Sequence, residues 1–212
     1  MKTQNDIREL TIKDAKLLAK LHILAFPNFF LTSLGERFLN TFYEKTIKSE
    51  NGLGLGIFNG DRIIAFAIGT NQIKGFYKSL IRNEGLSLLL SAFPTIVYKP
   101  KNILRIIKNL LGKNDGFEPT EGGWLLSICT DPEYQGTGIS QQCFLGFEKL
   151  IIDKSIMKLW LTTDSQENER ANLFYQKMNY QLKCTFTNTN NRKMNLYTKN
   201  LKTNDPIFAT KY

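Results

Sequence analysis

The chain has 212 residues, of which 42% are hydrophobic, and its formal net charge at pH 7 is +9. This apolar content excludes an intrinsically disordered chain, and the length predicts a single domain, residues 1–212, with a sizeable core. The three cysteines have no metal-ligand spacing, and the first residues are too polar for an export signal. We therefore expect reduced thiols, no metal site and a cytoplasmic location.

The N-terminal third is predicted to form a strand, two helices and a β-hairpin, from the spacing of its apolar residues. In chain order these elements cover residues 7–10, 13–25, 32–48, 53–59 and 62–70. The hairpin turn is predicted at Asn59-Gly60-Asp61, because asparagine and glycine favour the backbone angles of tight turns.

The C-terminal half is predicted to alternate strands and helices after a long helical insert over residues 74–120. The elements are, in chain order, strand 123–130, helix 137–154, strand 157–163, helix 167–178, strand 180–187 and strand 192–199. The whole chain is therefore predicted to follow the order β-α-α-β-β, insert, β-α-β-α-β-β.

A glycine-rich loop joins the strand over 123–130 to the next helix and reads Gln135-Gly136-Thr137-Gly138-Ile139-Ser140. Such a loop points several backbone N–H groups one way at the positive end of a helix, and its glycines add no side-chain bulk. This predicts a cradle for a pyrophosphate, with a plain tight turn as the alternative. Gln141 stands where a dinucleotide-binding fingerprint needs its third glycine, and no lysine follows Gly138 as a nucleoside-triphosphate loop requires.

A second motif lies further along the chain, where Asn168 precedes Tyr175 by seven residues. Together with the glycine-rich loop, this spacing resembles the two signatures of the GCN5-related N-acetyltransferase (GNAT) family, whose members bind acetyl-CoA. Asn179 replaces the family's usual glycine, and Tyr180 replaces its phenylalanine. Asparagine suits this position, because it is the next-best residue after glycine for a left-handed helix end.

The resemblance covers residues 120–200 by motif and residues 7–71 by pattern alone. It implies an α/β fold with a mixed, mostly antiparallel central sheet, a splayed parallel strand pair, flanking helices and the helical insert. The splayed strands are those over 123–130 and 157–163. The pantetheine arm of acetyl-CoA is expected to fill the gap between them like an extra strand.

The resemblance also implies which residues bind acetyl-CoA, which acts as co-substrate without a metal. They are Ile128, Cys129, Thr130, Gln135, Gly136, Thr137, Gly138, Ile139, Ser140, Asn168 and Asn172. By family position Tyr175 is the catalytic acid, which donates a proton to the leaving thiolate. A tyrosine that only packs on an amphipathic helix is the alternative.

The general base is not assigned by the sequence. Some relatives place a glutamate on the strand before the loop, where this chain has Trp124. Glu118, Glu121 and Asp164 are candidates that would act through water, and an amine of modest pKa would need no base.

Two further residues carry reactive side chains. His22, the single histidine, lies in the helix predicted over 13–25, where packing or lining a pocket is favoured over catalysis. Cys129 is interpreted as a small buried hydrophobe rather than a nucleophile, because no histidine lies near it in sequence.

The insert concentrates positive charge. Between residues 74 and 113 its net charge is +7, from eight basic residues and the single acid Glu84. The basic residues are Lys74, Lys78, Arg82, Lys99, Lys101, Arg105, Lys108 and Lys113. Two apolar runs, over 86–93 and 103–111, are too short to span a bilayer and predict amphipathic helices broken by Pro94 and Pro100.

Three interpretations of the insert remain open. It is a solvated cap, a surface that attracts an anionic small substrate such as a nucleotide-linked sugar, or a peripheral contact with the anionic membrane surface where lipid-linked sugars are built. Nucleic acid is disfavoured as a partner, because the basic residues are not interleaved with exposed aromatic residues in a recognisable module.

These features favour an N-acetyltransferase that transfers acetyl directly from acetyl-CoA to a primary amine of a small molecule, with an amino sugar as first choice. The segments over 21–27 and 34–39 also look like those of acetyltransferases found among surface-polysaccharide enzymes. A protein N-terminal or lysine acetyltransferase and a non-catalytic CoA-binding module are the alternatives. Whether the chain forms a homodimer is left open.

Overall fold

The computed structural model of the chain describes residues 5–98, 121–188 and 191–202. Within these residues, seven strands form one sheet. The strands are Asp6–Glu9 (β1), Gly52–Asn59 (β2), Arg62–Thr70 (β3), Gly123–Thr130 (β4), Lys158–Asp164 (β5), Gln181–Thr187 (β6) and Lys193–Asn200 (β7). Their order across the sheet is β1-β2-β3-β4-β5-β7-β6.

Helices cover both faces of this sheet. They are Ala15–Ala25 (α1), Glu36–Lys48 (α2), Phe76–Tyr98 (α3), Ile139–Asp153 (α4) and Glu169–Lys177 (α5). Short 3₁₀ turns precede α1 at Ile12–Asp14, α2 at Thr32–Leu34 and α4 at Pro132–Tyr134.

All neighbouring strands pair antiparallel except β4 and β5, which pair parallel. The predicted α/β fold, with a mostly antiparallel sheet, one parallel pair and flanking helices, is therefore confirmed. The hairpin predicted at Asn59-Gly60-Asp61 is also present, since Asn59 pairs with Arg62.

Two apolar cores hold the layers together, one on each face of the sheet. Alternate residues of β3 divide between them, because successive side chains of a strand point to opposite faces. Phe66 and Ile68 pack with α1 and α2, whereas Ala65 and Ala67 lie in the core below α4 and α5. The central strands are buried on both faces, which explains why β3 reads as a nearly continuous apolar run.

The structure corrects the predicted helix over 32–48. The chain makes only a 3₁₀ turn at Thr32–Leu34, and α2 begins at Glu36. Gly35 separates the two, with φ at 91°, a backbone angle that is incompatible with a right-handed helix and that favours glycine. The helices predicted to begin at residues 137 and 167 also begin two residues later, at Ile139 and Glu169.

The insert contains a longer helix than the sequence predicts. Helix α3 continues to Tyr98, past Pro94, where a break was expected. Leu88 and Ala92 are buried on the preceding turns, and the helix continues although proline removes one of its backbone hydrogen bonds. The second apolar run, over 103–111, and the basic residues from Lys99 onward lie outside the described residues. None of the described helices is long and apolar enough to cross a membrane.

Candidate active site

The parallel strands β4 and β5 separate part of the way along their length. They pair only at Gly123 with Leu159, Trp124 with Trp160 and Leu125 with Leu161. Both strands nevertheless continue, β4 to Thr130 and β5 to Asp164. Beyond Leu125 the facing edges therefore carry backbone N–H and C=O groups that do not pair with each other, and an extended chain of amides can bind there.

A bulge in β4 marks the point of separation. Leu125 pairs with Gly69 and Ser127 with Ile68, so Leu126 is the extra residue on this strand. A bulge increases the local twist and bends its strand, which turns the end of β4 away from β5. The predicted cofactor contacts Ile128, Cys129 and Thr130 all lie on this separated part of β4.

The glycine-rich loop is open at the positions that the sequence indicates. Gly136 and Gly138 have φ angles of 79° and 91°, and a Cβ atom added at either would meet nothing within 4 Å. Gly138 is the N-cap of α4, no side chain caps the helix, and its first turn carries no acid. The backbone N–H of Gln142 donates to Gly138 O. The N–H groups that precede it in the first turn of α4 are therefore available to an anion.

Polar contacts hold this loop against the sheet. The Thr130 and Ser140 hydroxyls, at the end of β4 and the start of α4, lie 2.9 Å apart. Asp131 is buried, and its carboxylate accepts from the backbone of Glu133 and from Arg62 at 2.5 Å. These contacts fix both ends of the turn.

Arg170 is a site residue that the sequence motifs do not indicate. It lies exposed in the first turn of α5, and its Nη1 donates to Gln135 Oε1 at 2.8 Å. The guanidinium therefore stands beside the glycine-rich loop and adds positive charge to that of the helix end.

Tyr175 lies in the core under α4 and α5, with 7% of its surface exposed. Its ring packs among other aromatic rings, with centroids 5.5–6.3 Å away: Phe144, Phe174, Tyr180 and Tyr197. Burial, with a smaller effect of Cys129, raises the pKa of the Tyr175 phenol above its ordinary value. The phenol is therefore protonated at neutral pH, which is the state that a proton donor requires.

The two asparagines of the second motif differ in how much of their side chain is free. Asn168 Nδ2 donates to Thr163 Oγ1 at 2.6 Å, and no described residue donates to its Oδ1. In Asn172, both polar atoms of the side-chain amide form hydrogen bonds within the protein. Its Nδ2 donates to the backbone oxygens of Asp164 and Asn168, and its Oδ1 accepts from Asn195 and Tyr197.

Asn172 therefore joins α5 to the end of β5 and to β7, with every polar atom of its side chain bonded within the protein. Its predicted contact with acetyl-CoA stays a prediction. Asn168 keeps a free amide oxygen on the same helix end, where it remains a candidate for the cofactor.

The cysteine and histidine side chains occupy packing positions, as predicted. Cys129 is 1% exposed, and burial raises the pKa of its thiol, so it is not a thiolate nucleophile at neutral pH. His22 is equally buried in α1, where its Nδ1 lies 2.6 Å from the Tyr43 hydroxyl. Burial lowers the pKa of His22 to about 4, so the imidazole is neutral in the folded protein at pH 7.

The buried imidazole predicts a pH dependence of stability. The unfolded chain protonates His22 near pH 6.5, whereas the folded chain does so only near pH 4, so stability is lost as pH falls between these values. Between pH 7 and pH 5 we expect the free energy of unfolding to fall by about 2 kcal/mol from this residue. Urea unfolding of the wild type and of His22→Gln measures it. An equally steep dependence in the variant would contradict the assignment.

Of the predicted base candidates, Asp164 is engaged by a cation. Arg192, just before β7, donates to Asp164 Oδ1 through its Nε at 2.9 Å and to Oδ2 through its Nη2. Glu121 is exposed at the start of β4, and Glu118 lies outside the described residues. The structure therefore does not single out a base among the described carboxylates.

A cleft opens beside the separated end of β5. Its volume is about 500 Å³, and its walls combine aromatic rings with the Asp164–Arg192 ion pair. It is lined by Phe26, Pro27, Asn28, Phe29, Phe30, Ser33, Asp164 and Arg192. The guanidinium of Arg192 lies 5.5 Å from the centroid of the Phe29 ring. A smaller cavity, of about 290 Å³, lies between α2 and α3 at the opposite end of β4.

The separated strands and the open loop are suited to an extended cofactor that ends in a pyrophosphate group. The sequence profile of the acetyltransferase (GNAT) family matches residues 17–180. The chain belongs to this family, and it is an acetyltransferase that uses acetyl-CoA and acts on amines. No curated protein is a significant sequence match to the chain.

Solved structures with the same fold include enzymes with different acceptors. The ribosomal-protein-S18-alanine N-acetyltransferase from Escherichia coli is 13% identical, with a TM-score of 0.58 over 95% of this chain and 97% of that chain. PaiA N-acetyltransferase from Thermoplasma acidophilum, in complex with coenzyme A, is 15% identical, with a TM-score of 0.53 over 93% and 99%. The aminoglycoside N-acetyltransferase AAC(6')-Iy, in complex with CoA, is 11% identical, with a TM-score of 0.56 over 84% and 88%. At these identities the similarity establishes the fold alone.

Proposed function

We propose that the protein transfers acetyl directly from acetyl-CoA to a primary amine of a small molecule, and that an amino sugar is the acceptor. One observation carries this proposal: β4 and β5 stop pairing at Leu125 and Leu161, next to the open loop at the start of α4. The amine is expected to enter from the aromatic cleft beside Asp164.

Most of the predicted site residues have a part in this proposal. The first-turn N–H groups of α4, together with Arg170, are positioned to bind the pyrophosphate, and the free edge of β4 from Leu126 to Thr130 binds the pantetheine amides. Asn168 Oδ1 accepts one further amide hydrogen. Tyr175 gives its phenolic proton to the thiolate as the tetrahedral intermediate collapses to amide and thiol, and the proton that the attacking amine loses returns to the tyrosinate through solvent.

The acceptor class is supported by the shape and chemistry of the cleft. A volume of about 500 Å³ suits a small molecule, because small-molecule sites generally fall between about 300 and 1,000 Å³. Phe26 and Phe29 offer flat apolar faces to a sugar ring, while Asp164 and Arg192 offer a paired acceptor and donor to its polar groups. A protein N-terminus or lysine is the second candidate acceptor.

The proposed location and the other proposed partners rest on fewer observations. The three cysteines are free, in agreement with a proposed cytoplasmic location. A nucleotide- or lipid-linked sugar would place an anionic group near the cleft, where Arg192 already pairs with Asp164. A homodimer stays a prediction.

Substitution in the cleft is expected to change acceptor binding and spare acetyl-CoA binding. Phe29→Ala removes an aromatic face, and the acceptor KM should rise roughly fivefold to twentyfold, as for the loss of one stacked ring. The acetyl-CoA thermal shift should not change. Phe93→Ala, which removes an exposed ring from α3, is the matched control and should leave KM unchanged.

The measurement begins with a panel of amine acceptors and detection of the released thiol. Turnover of amino sugars and not of peptides supports the proposal. Turnover restricted to peptide amines would replace it with the protein acceptor. Acetyl-CoA binding without turnover of any amine in the panel would contradict both candidate acceptors.

A further inference from the structure

Helix α3 presents large apolar side chains to solvent. Leu86 is 73% exposed, Leu90 57% and Phe93 60%, and Leu89 is also exposed. Their spacing of three and four residues places all four on one face of the helix. We refer to Leu86, Leu89, Leu90 and Phe93 as the outer stripe.

The opposite face of the same helix is apolar as well. Phe76, Leu80, Leu88 and Ala92 are buried against the core formed with α2. A helix that is apolar on all sides normally lies between two apolar surroundings. The core supplies one of them. Among the described residues nothing covers the solvent side of the outer stripe, and contiguous exposed apolar patches mark sites of association with a protein or a membrane.

The charges beside the outer stripe decide between these partners. Arg82 lies one turn and Lys78 two turns before Leu86 on the same face, and both are exposed. The single acid of α3, Glu84, is directed toward α2, where its Oε2 lies 2.9 Å from Lys45 Nζ. The described outer face therefore combines two cations with four large apolar side chains and has no acid.

We propose that the outer stripe docks on an anionic lipid surface, with α3 lying parallel to the membrane plane. Leucine and phenylalanine side chains insert at the boundary between headgroups and acyl chains, while Lys78 and Arg82 pair with lipid phosphates. A second copy of the chain would have no acid on this face to pair with these cations. The proposal does not depend on which amine is acetylated.

Vesicle co-sedimentation tests the proposal with the full chain. The wild type should bind vesicles of phosphatidylcholine and phosphatidylglycerol, bind phosphatidylcholine alone more weakly, and lose affinity as salt rises. The triple variant Leu86→Gln, Leu90→Gln, Phe93→Gln should lose at least about tenfold in affinity for the mixed vesicles. The double variant Lys78→Gln, Arg82→Gln should lose roughly tenfold and most of the salt dependence.

A matched control separates the outer stripe from exposed leucines in general. Leu173 and Leu182 are 54% and 50% exposed, away from α3, and Leu173→Gln with Leu182→Gln should bind vesicles as the wild type does. An unchanged acetyl-CoA thermal shift reports that each variant is folded. Failure of the wild type to bind anionic vesicles, or equal binding by the triple variant, would overturn the proposal. A wild-type dimer that the triple variant converts to a monomer, without vesicle binding by either, would assign the stripe to a contact between copies.

Discussion

Replacing Gly138 with glutamate is expected to abolish the rise in melting temperature that acetyl-CoA produces. A ligand that binds the folded state alone, at a hundred times its Kd, stabilises it by about 2.7 kcal/mol, which is roughly 5–10 °C for a chain of this size. Gly138 is the uncapped N-cap of α4, and a Cβ added there points into open space. The carboxylate would occupy the position proposed for the pyrophosphate and repel it.

The control for this variant must reproduce its effect on the backbone. A glutamate at φ 91° is strained, so Gly138→Glu lowers the melting temperature of the free protein as well. Gly75, at φ 78° with nothing within 4 Å of its added Cβ, lies just before α3 and away from the loop. Gly75→Glu should therefore show comparable strain and an intact acetyl-CoA shift. A normal shift in folded Gly138→Glu would show that the pyrophosphate binds elsewhere.

The order of strands and helices was predictable because each element carries its own apolar period. Strand β3 and helix α1, for example, fall within two residues of their predicted bounds. The errors arise at single residues with special backbone properties. Gly35 interrupts a helix through a positive φ angle, whereas α3 continues past Pro94 although proline removes a helical hydrogen bond.

The candidate site was predictable only where a motif is local in sequence. The glycine-rich loop and the spacing of Asn168 and Tyr175 fall within single strand–helix segments. Arg62, Arg170 and Arg192 were missed, because their partners are far away along the chain: Asp131, Gln135 and Asp164 lie 69, 35 and 28 residues from them. Only the folded structure brings each arginine to its partner.

The same reasoning explains why Asn172 was assigned to the cofactor. Its position in the motif is local, but the groups that saturate its amide belong to β5 and β7. Asn195 and Tyr197 lie 23 and 25 residues further along, and sequence spacing does not reveal that they reach Asn172. Whether a polar side chain is free for a ligand therefore depends on the tertiary structure.

Changing Tyr175 to phenylalanine is expected to lower turnover by roughly tenfold to a hundredfold, the range for loss of a positioned acid. The substitution removes only the hydroxyl and keeps the ring among Phe144, Phe174 and Tyr197. Stability and acetyl-CoA affinity should therefore remain close to those of the wild type. Steady-state kinetics at saturating acceptor, with the thermal shift measured in parallel, separates the chemical step from binding.

Tyr180 provides the matched control within the same aromatic cluster. Its hydroxyl donates to Glu148 Oε1 at 2.9 Å, beside Lys199, and its ring centroid lies 6.3 Å from that of Tyr175. Tyr180→Phe removes a buried hydrogen bond to a charged group, so it should lower the melting temperature and leave turnover unchanged. If Tyr175→Phe retains full turnover, or if both variants lose turnover equally, the Tyr175 phenol is a packing group. The thiolate then leaves without a proton from the protein.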